Sequence, residues 1–484
     1  MGKEHISMTV LILLCSFILL SPALTAQSQP YLVKDINAIT NPNPSSEPNS
    51  FVAIGSVAYF VAYDPIHERE LWRSDGTADG TWLVKDLNPG AGYSWLGYSS
   101  DLINVNGVLF FAASDPATGI ELWRSDGTAS GTTVVKDIFP GIESSYPGQL
   151  VNVNNVLYFT ATTPTCGIAI WKSDGTENGT TLVFCGKYVQ NLTHVNNSLF
   201  FTNSDEDHGT ELWKMDLSTE ISTLVKDIYP GIESSAPSQL TSSNGTLFFV
   251  ARQQQTGKEL WKSDGTEEGT VLVKDIFVGP ADSMDRFPQL TDVNGIVFFG
   301  ADDGINGIEL WKSDGTESGT NLLKDIYPGP DGSGPRGINL SGTYVFAAQD
   351  YDTDGIWRSD GTPNGTYKLT RSYDYYQYSL AKVGNVAFFS TANYYPMTLW
   401  KTDGTGAGTM VVGYVQNISK GSFGDINGTL FFGGDDGSTG TELWKSDGTD
   451  SGTVFIKDLN PLVTDSSWIN LSTNFNNKLF FSAI

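Results

Sequence analysis

The chain has 484 residues, of which 12% are aromatic and 52 are glycine, and 54 acidic against 28 basic side chains leave a net charge of −26. Such acidity excludes a nucleic-acid partner and favours solubility outside the cell, with divalent cations or basic surfaces as admissible partners. No long, capped segment of period 3.6 occurs, so short strands joined by tight turns are expected to dominate.

At the N-terminus, Lys3 within residues 1–8 is followed by an apolar run over 9–20 and a small-residue exit over 21–26. This pattern predicts a secretory signal, 1–26, cleaved after Ala26 and too short for a transmembrane span. No second apolar run follows, so the mature chain, 27–484, is expected to be secreted or held at the cell surface without a transmembrane segment.

One pattern then returns to the end of the chain. Trp72, Trp123, Trp171, Trp213, Trp261, Trp311, Trp357, Trp400 and Trp444 stand 42 to 51 residues apart. A period of this size marks one supersecondary unit stacked many times. Residues 289–326 give the unit. A strand over 289–293 (a) ends at Asn294-Gly295, a hairpin signal, and a second (b) runs over 296–301. A loop over 302–307 leads to strand c, through Glu309, Leu310 and Trp311. The turn 313–319 enters strand d, 320–326.

Adjacent large residues on strand b, such as Phe110-Phe111, Phe248-Phe249 and Phe298-Phe299, point to opposite faces of a sheet. Both faces must therefore be covered, which a β-sandwich does not provide and the blades of a β-propeller do. The expected fold is all-β, a β-propeller of four-stranded antiparallel blades. A lone d strand over 31–36, nine full units and an a–b pair over 468–483 make ten blades lacking one c strand. One large ring, two smaller rings and a truncated array all fit that count.

Glu-Leu-Trp-x-x-Asp-Gly-Thr stands complete at 70–77, 121–128, 259–266, 309–316 and 442–449. In this the chain resembles the ELWxxDGT repeat proteins of secreted and surface-associated bacterial chains, over nearly all of its mature length. The resemblance implies a propeller-like extracellular protein and brings no catalytic residues. Departures are Ala169-Ile170, Met215 and Leu217, Gly355-Ile356, and Thr398 and Thr402. A second, looser similarity is to the Asp-box turn of sialidase propellers, without the arginine cluster such an enzyme needs.

Three residues after each tryptophan comes an aspartate: Asp75, Asp126, Asp174, Asp216, Asp264, Asp314, Asp360, Asp403 and Asp447. Two further on there is always a hydroxyl. Aspartate accepting a backbone N–H two residues on is a turn-fastening device, whereas one carboxylate per turn is too few for calcium. These residues are read as structural. Cys166 and Cys185 flank the third c–d hairpin symmetrically, and in an oxidising compartment a disulfide is expected, against two buried thiols.

In an a–b–c–d meander the a–b and c–d turns share one edge, while the b–c loops and d–a crossings share the other. The second set varies in length and chemistry, so binding is expected there. Asp350, Asp352 and Asp354 match the core of a calcium loop but lack its later bidentate glutamate; calcium is the one cofactor the chain suggests, and none is required. Tyr373, Tyr375 and Tyr376 on a crossing, with Tyr394 and Tyr395 on a b–c loop, suit stacking against sugar rings or a protein surface.

Mature histidines, His67, His194 and His208, lie in separate units without metal-ligand spacing, and no nucleophile elbow or phosphate loop occurs. The expected function is a non-enzymatic binding or adhesion scaffold for glycans or extracellular proteins. Its alternatives are a polysaccharide-cleaving propeller enzyme and a purely structural surface repeat.

Overall fold

A computed structural model describes residues 49–482, apart from 56, 65–66, 76–78, 90–93, 95, 97–101, 285–288, 372–379, 392–396, 416, 419–422, 427, 436–440, 458–469 and 476–477. The expected first strand, 31–36, lies outside the described residues. No helix occurs among those described. Nine antiparallel meanders span 49–85, 103–136, 148–184, 190–226, 238–272, 291–324, 336–371, 381–415 and 417–457, and a hairpin, Asn470–Phe475 with Lys478–Ser482, follows. The sixth sheet shows the layout: Thr291–Val293, Ile296–Asp302, Ile308–Ser313 and Asn321–Lys324 are strands a to d in spatial order. The ninth differs in pairing two short segments, Asn417–Ile418 and Gly424–Ile426, with strand Thr429–Asp435.

Register places the aromatic residues. In every sheet the tryptophan of strand c lies opposite a phenylalanine of strand b: Phe60, Phe111, Phe159, Phe201, Phe249, Phe299, Phe346, Phe389 and Phe432. Such cross-strand pairs are the unit of sheet stabilisation. Because neighbouring residues face opposite ways, one phenylalanine of each pair serves each side of the sheet. Phe248, Val250 and Leu260 of the fifth sheet pack with Phe299, Ala301 and Trp311 of the sixth. Phe298 and Leu310 of the sixth turn the other way, onto Tyr344, Phe346 and Trp357 of the seventh. Shared cores of this kind join every consecutive pair from the first sheet to the ninth. Each fully buried phenylalanine contributes about 2–3 kcal/mol. Strand d is half-buried throughout and lies outermost.

The inner strands border one another in chain order, and the final hairpin contacts both the inner strand of the ninth sheet and Asn49–Ile54 of the first. The described chain is thus a β-propeller of four-stranded blades, with its two kinds of connection sorted to opposite edges.

Candidate functional site

The c–d turns form a closed edge. In the sixth sheet the Thr316 N–H and hydroxyl donate to Asp314 Oδ1 at 2.8 and 2.7 Å, the Gly319 N–H donates to Thr316 Oγ1 at 2.9 Å, and Ser313 and Thr320 share a hydroxyl contact at 2.7 Å. The same bonds recur at Asp126, Asp174, Asp264, Asp360, Asp403 and Asp447. In the fourth sheet Ser218 takes the threonine's place beside Asp216. Asp75 places its carboxylate against Gly80, as every other turn aspartate but Asp216 does against its own second glycine, while residues 76–78 are not described. The hydroxyl of the following threonine, and then its N–H, hold the Asp126, Asp174, Asp314 and Asp360 carboxyls below the usual range. A Cβ on Gly319 would overlap that carboxylate, which accounts for the second glycine.

These turns also lock neighbours together. Lys85, Lys136 and Lys226 of the outer strands, and Lys274 just beyond one, donate to the carbonyls of Thr132, Thr180, Thr270 and Thr320 of the next unit, at 2.9 to 3.1 Å. Lys312 likewise reaches the Gly361 carbonyl at 2.5 Å. The aspartates of this edge are engaged within their own turns.

The opposite edge is organised by a residue that sequence reasoning left without a role. Glu70, Glu121, Glu211, Glu259 and Glu309 are fully buried. Glu309 accepts the N–H of Ile326 and of Tyr327 at 2.9 Å and the Ser333 hydroxyl at 2.7 Å, so one carboxylate pins the whole d–a crossing. Glu121 holds Ile138, Phe139 and Ser145 in the same way, and Glu211 holds Ile228, Tyr229 and Ser235. Burial pushes Glu70 up to about 8 and Glu121, Glu211 and Glu259 up to about 7, with the donors pulling back. A signal was available: a serine stands 24 residues after each of these glutamates, at Ser94, Ser145, Ser235, Ser283 and Ser333.

In the third sheet, where the glutamate is missing, another fastening is present. Ala169 occupies the glutamate's position, the crossing is short, and a disulfide joins Cys166 of the b–c loop to Cys185, with 5.5 Å between their Cα atoms. The Asn203 side chain accepts the Lys187 N–H beside it.

Of the residues read as a binding surface, Tyr373, Tyr375, Tyr376, Tyr394 and Tyr395 lie outside the described residues. The acidic loop of the seventh sheet is described. Asp350 accepts the N–H of Asp352 and of Thr353 at 3.1 Å and pairs with Lys368 at 2.7 Å, while Asp352 pairs with Arg371 at 3.6 Å. Against the cost of burial, Lys368 and these N–H groups hold Asp350 below the usual carboxylate range. Asp354 begins strand Asp354–Ser359. Two of the loop's aspartates thus face cations of the neighbouring strand Tyr367–Arg371. Among the described residues no group of three or more His, Cys, Asp or Glu side chains converges as metal ligands would. His208 pairs with Asp205 at 3.0 Å, and that bond raises it.

On the same edge, Tyr351 of this loop stacks on Tyr327 of the preceding crossing, ring centroids 5.3 Å apart and planes 16° from parallel. Tyr351 remains 77% exposed.

No family model matches the chain, and no curated protein matches it. Among solved structures it is similar to the β-propeller domain of the Trilobed protease from Pyrococcus furiosus, at 11% identity and TM-score 0.31 over 66% of this chain and 99% of that one. TolB from Acinetobacter baumannii gives 13% identity and TM-score 0.29 over 64% and 78%. Puromycin hydrolase gives 14% and 0.34 over 73% of this chain but only 61% of that one.

Proposed function

We propose that this chain is a non-enzymatic, secreted or cell-surface scaffold that binds an extracellular glycan or protein through its b–c loops and d–a crossings. One observation carries the reading. Among the described residues the five most exposed large apolar side chains are Val278, Ile142, Tyr351, Ile232 and Ile305, from 83% down to 74% exposed. All five sit on that one edge: Ile142, Ile232 and Val278 on crossings, Ile305 and Tyr351 on b–c loops. Exposed apolar side chains that recur at the loop tips of successive units, set among acids, support an interaction surface on this edge. At the opposite edge the most exposed large apolar side chain among the described residues is Ile221, at 62%.

The test is binding of the whole exported chain to a glycan array and to a panel of immobilised extracellular proteins. Two variants are compared with wild type: Ile142→Ser/Ile232→Ser/Val278→Ser, and Tyr373→Ala/Tyr375→Ala/Tyr394→Ala. Loss of binding with an unchanged melting temperature is the expected result. Full binding by both variants, or loss of fold in step with loss of binding, would sink the reading.

A further inference from the structure

Between the sixth and seventh sheets the loop edge opens into a cleft of about 510 Å³. The crossing that lines it differs from its siblings in sequence. A shared hydrogen bond fixes the alignment: Thr162, Arg252, Asp302 and Gln349 donate their N–H groups to the carbonyls of Ser145, Ser235, Ser283 and Ser333. One residue before that serine the siblings carry Ser144, Ser234 and Asp282, whose side chains accept the N–H of Ile120, Thr210 and Lys258. The seventh crossing has Gly332 instead, at φ 75°, where a Cβ would lie 2.2 Å from the Ile308 nitrogen. One residue after the serine the siblings carry Tyr146, Ala236 and Met284, and here stands Gly334. Four after it, Gln149 and Gln239 give way to Gly337. This junction thus carries glycine at three positions where its siblings carry side chains, and Gly332, Gly334 and Gly337 all line the cleft.

What enters the space is equally specific. Arg336 replaces Gly148 and Ser238 of the siblings and lines the cleft with Asp331, Gln289 and Gln349, over a floor that includes Ile338. The guanidinium only donates, the carboxylate only accepts, and the two carboxamides do both. Their charges cancel, so the wall has no formal charge, while the chain's net charge of −26 repels anions. Mixed donors and acceptors beside an apolar floor suit a ring with hydroxyls on its rim and C–H groups on its face. The crossing that lines the cleft also carries the half-buried Tyr327, on which the exposed Tyr351 stacks.

We propose that this cleft binds a neutral oligosaccharide segment. The proposal rests on the binding-scaffold reading and gives it a ligand class and a place. Calorimetric titration of the whole exported chain with cellotetraose, maltotetraose, mannotetraose and chitotetraose tests it, with tetragalacturonate as the charged control. One neutral tetrasaccharide should bind. Arg336→Ala and Gln349→Ala should each weaken it at least about tenfold, the worth of one or two lost hydrogen bonds. Gly334→Tyr, copying Tyr146, which takes φ 49° at the matching position, should abolish binding by refilling the space. If that variant does not fold, the two truncations still decide. Three results would overturn the assignment: no neutral tetrasaccharide bound, binding indifferent to Arg336 and Gln349, or preference for tetragalacturonate. A chain that keeps its loop-tip binding while ignoring all four saccharides loses the cleft and retains the broader reading. Tip variants without effect remove the broader reading itself.

Discussion

In Glu259 and Asp264, five residues apart in one copy of the motif, the same functional group meets two environments. Glu259 is buried and holds the N–H groups of Ile276 and Phe277. Removing it strands those donors inside the protein, so Glu259→Ala should cost about 3 kcal/mol in a denaturant titration. Asp264 is exposed and fastens its own turn. The two also respond oppositely to pH. The glutamates are raised above their ordinary value of 4.5, so their contribution is complete below it and is lost as pH rises through about 7. The turn aspartates are depressed below 3.8, so theirs is present above that value and lost as pH falls through the folded-state value. Thermal melts should therefore show maximal stability in mildly acid solution, between these limits. Glu259→Gln should flatten the alkaline limb, and a maximum on the alkaline side would contradict this account.

At the scale of the element, the blade was open to reading because burial on both faces leaves a mark in composition: adjacent aromatics on strand b, and a tryptophan fixed against them on strand c. The aspartate turns were legible because their bonds span two to four residues. The glutamate clamp is harder to read, since two of its donors are backbone N–H groups 17 and 18 residues away without a residue identity, and only the serine 24 residues on marks it. The cleft is harder still to read, because its lining residues come from strands and a crossing far apart in sequence, Gln289, Asp331, Arg336 and Gln349 among them. The tyrosines of 373–376 and 394–395 remain outside the described residues. The third blade supplies a test of the clamp's purpose. If the Cys166–Cys185 bond stands in for the missing glutamate, Cys166→Ala/Cys185→Ala should lose about 3 kcal/mol, the worth of closing a loop of this length. Amide exchange should quicken over 184–190 and stay unchanged in the sixth blade; uniform quickening would argue against a local fastening.

For the whole molecule, every consecutive pair of sheets shares a core, so stability accumulates through neighbour contacts as in other repeat proteins. Against it works a net charge of −26, whose self-repulsion acts on all blades together. Added sodium chloride screens that repulsion, and the melting temperature should rise between low and physiological ionic strength. A fall would mean that the ion pairs, such as Lys368 with Asp350, outweigh the net field.

The forward-reaching lysines give four of the joints a direction. Lys85, Lys136, Lys226 and Lys274 lie in one unit and their threonine carbonyls in the next, like tongue and groove boards cut to one profile. At such a joint, in-frame recombination between two copies of the coding sequence removes or duplicates a whole board and leaves the same profile facing the same profile. Genes that diversify in this manner should differ by entire repeats, with their breakpoints at corresponding positions of the unit.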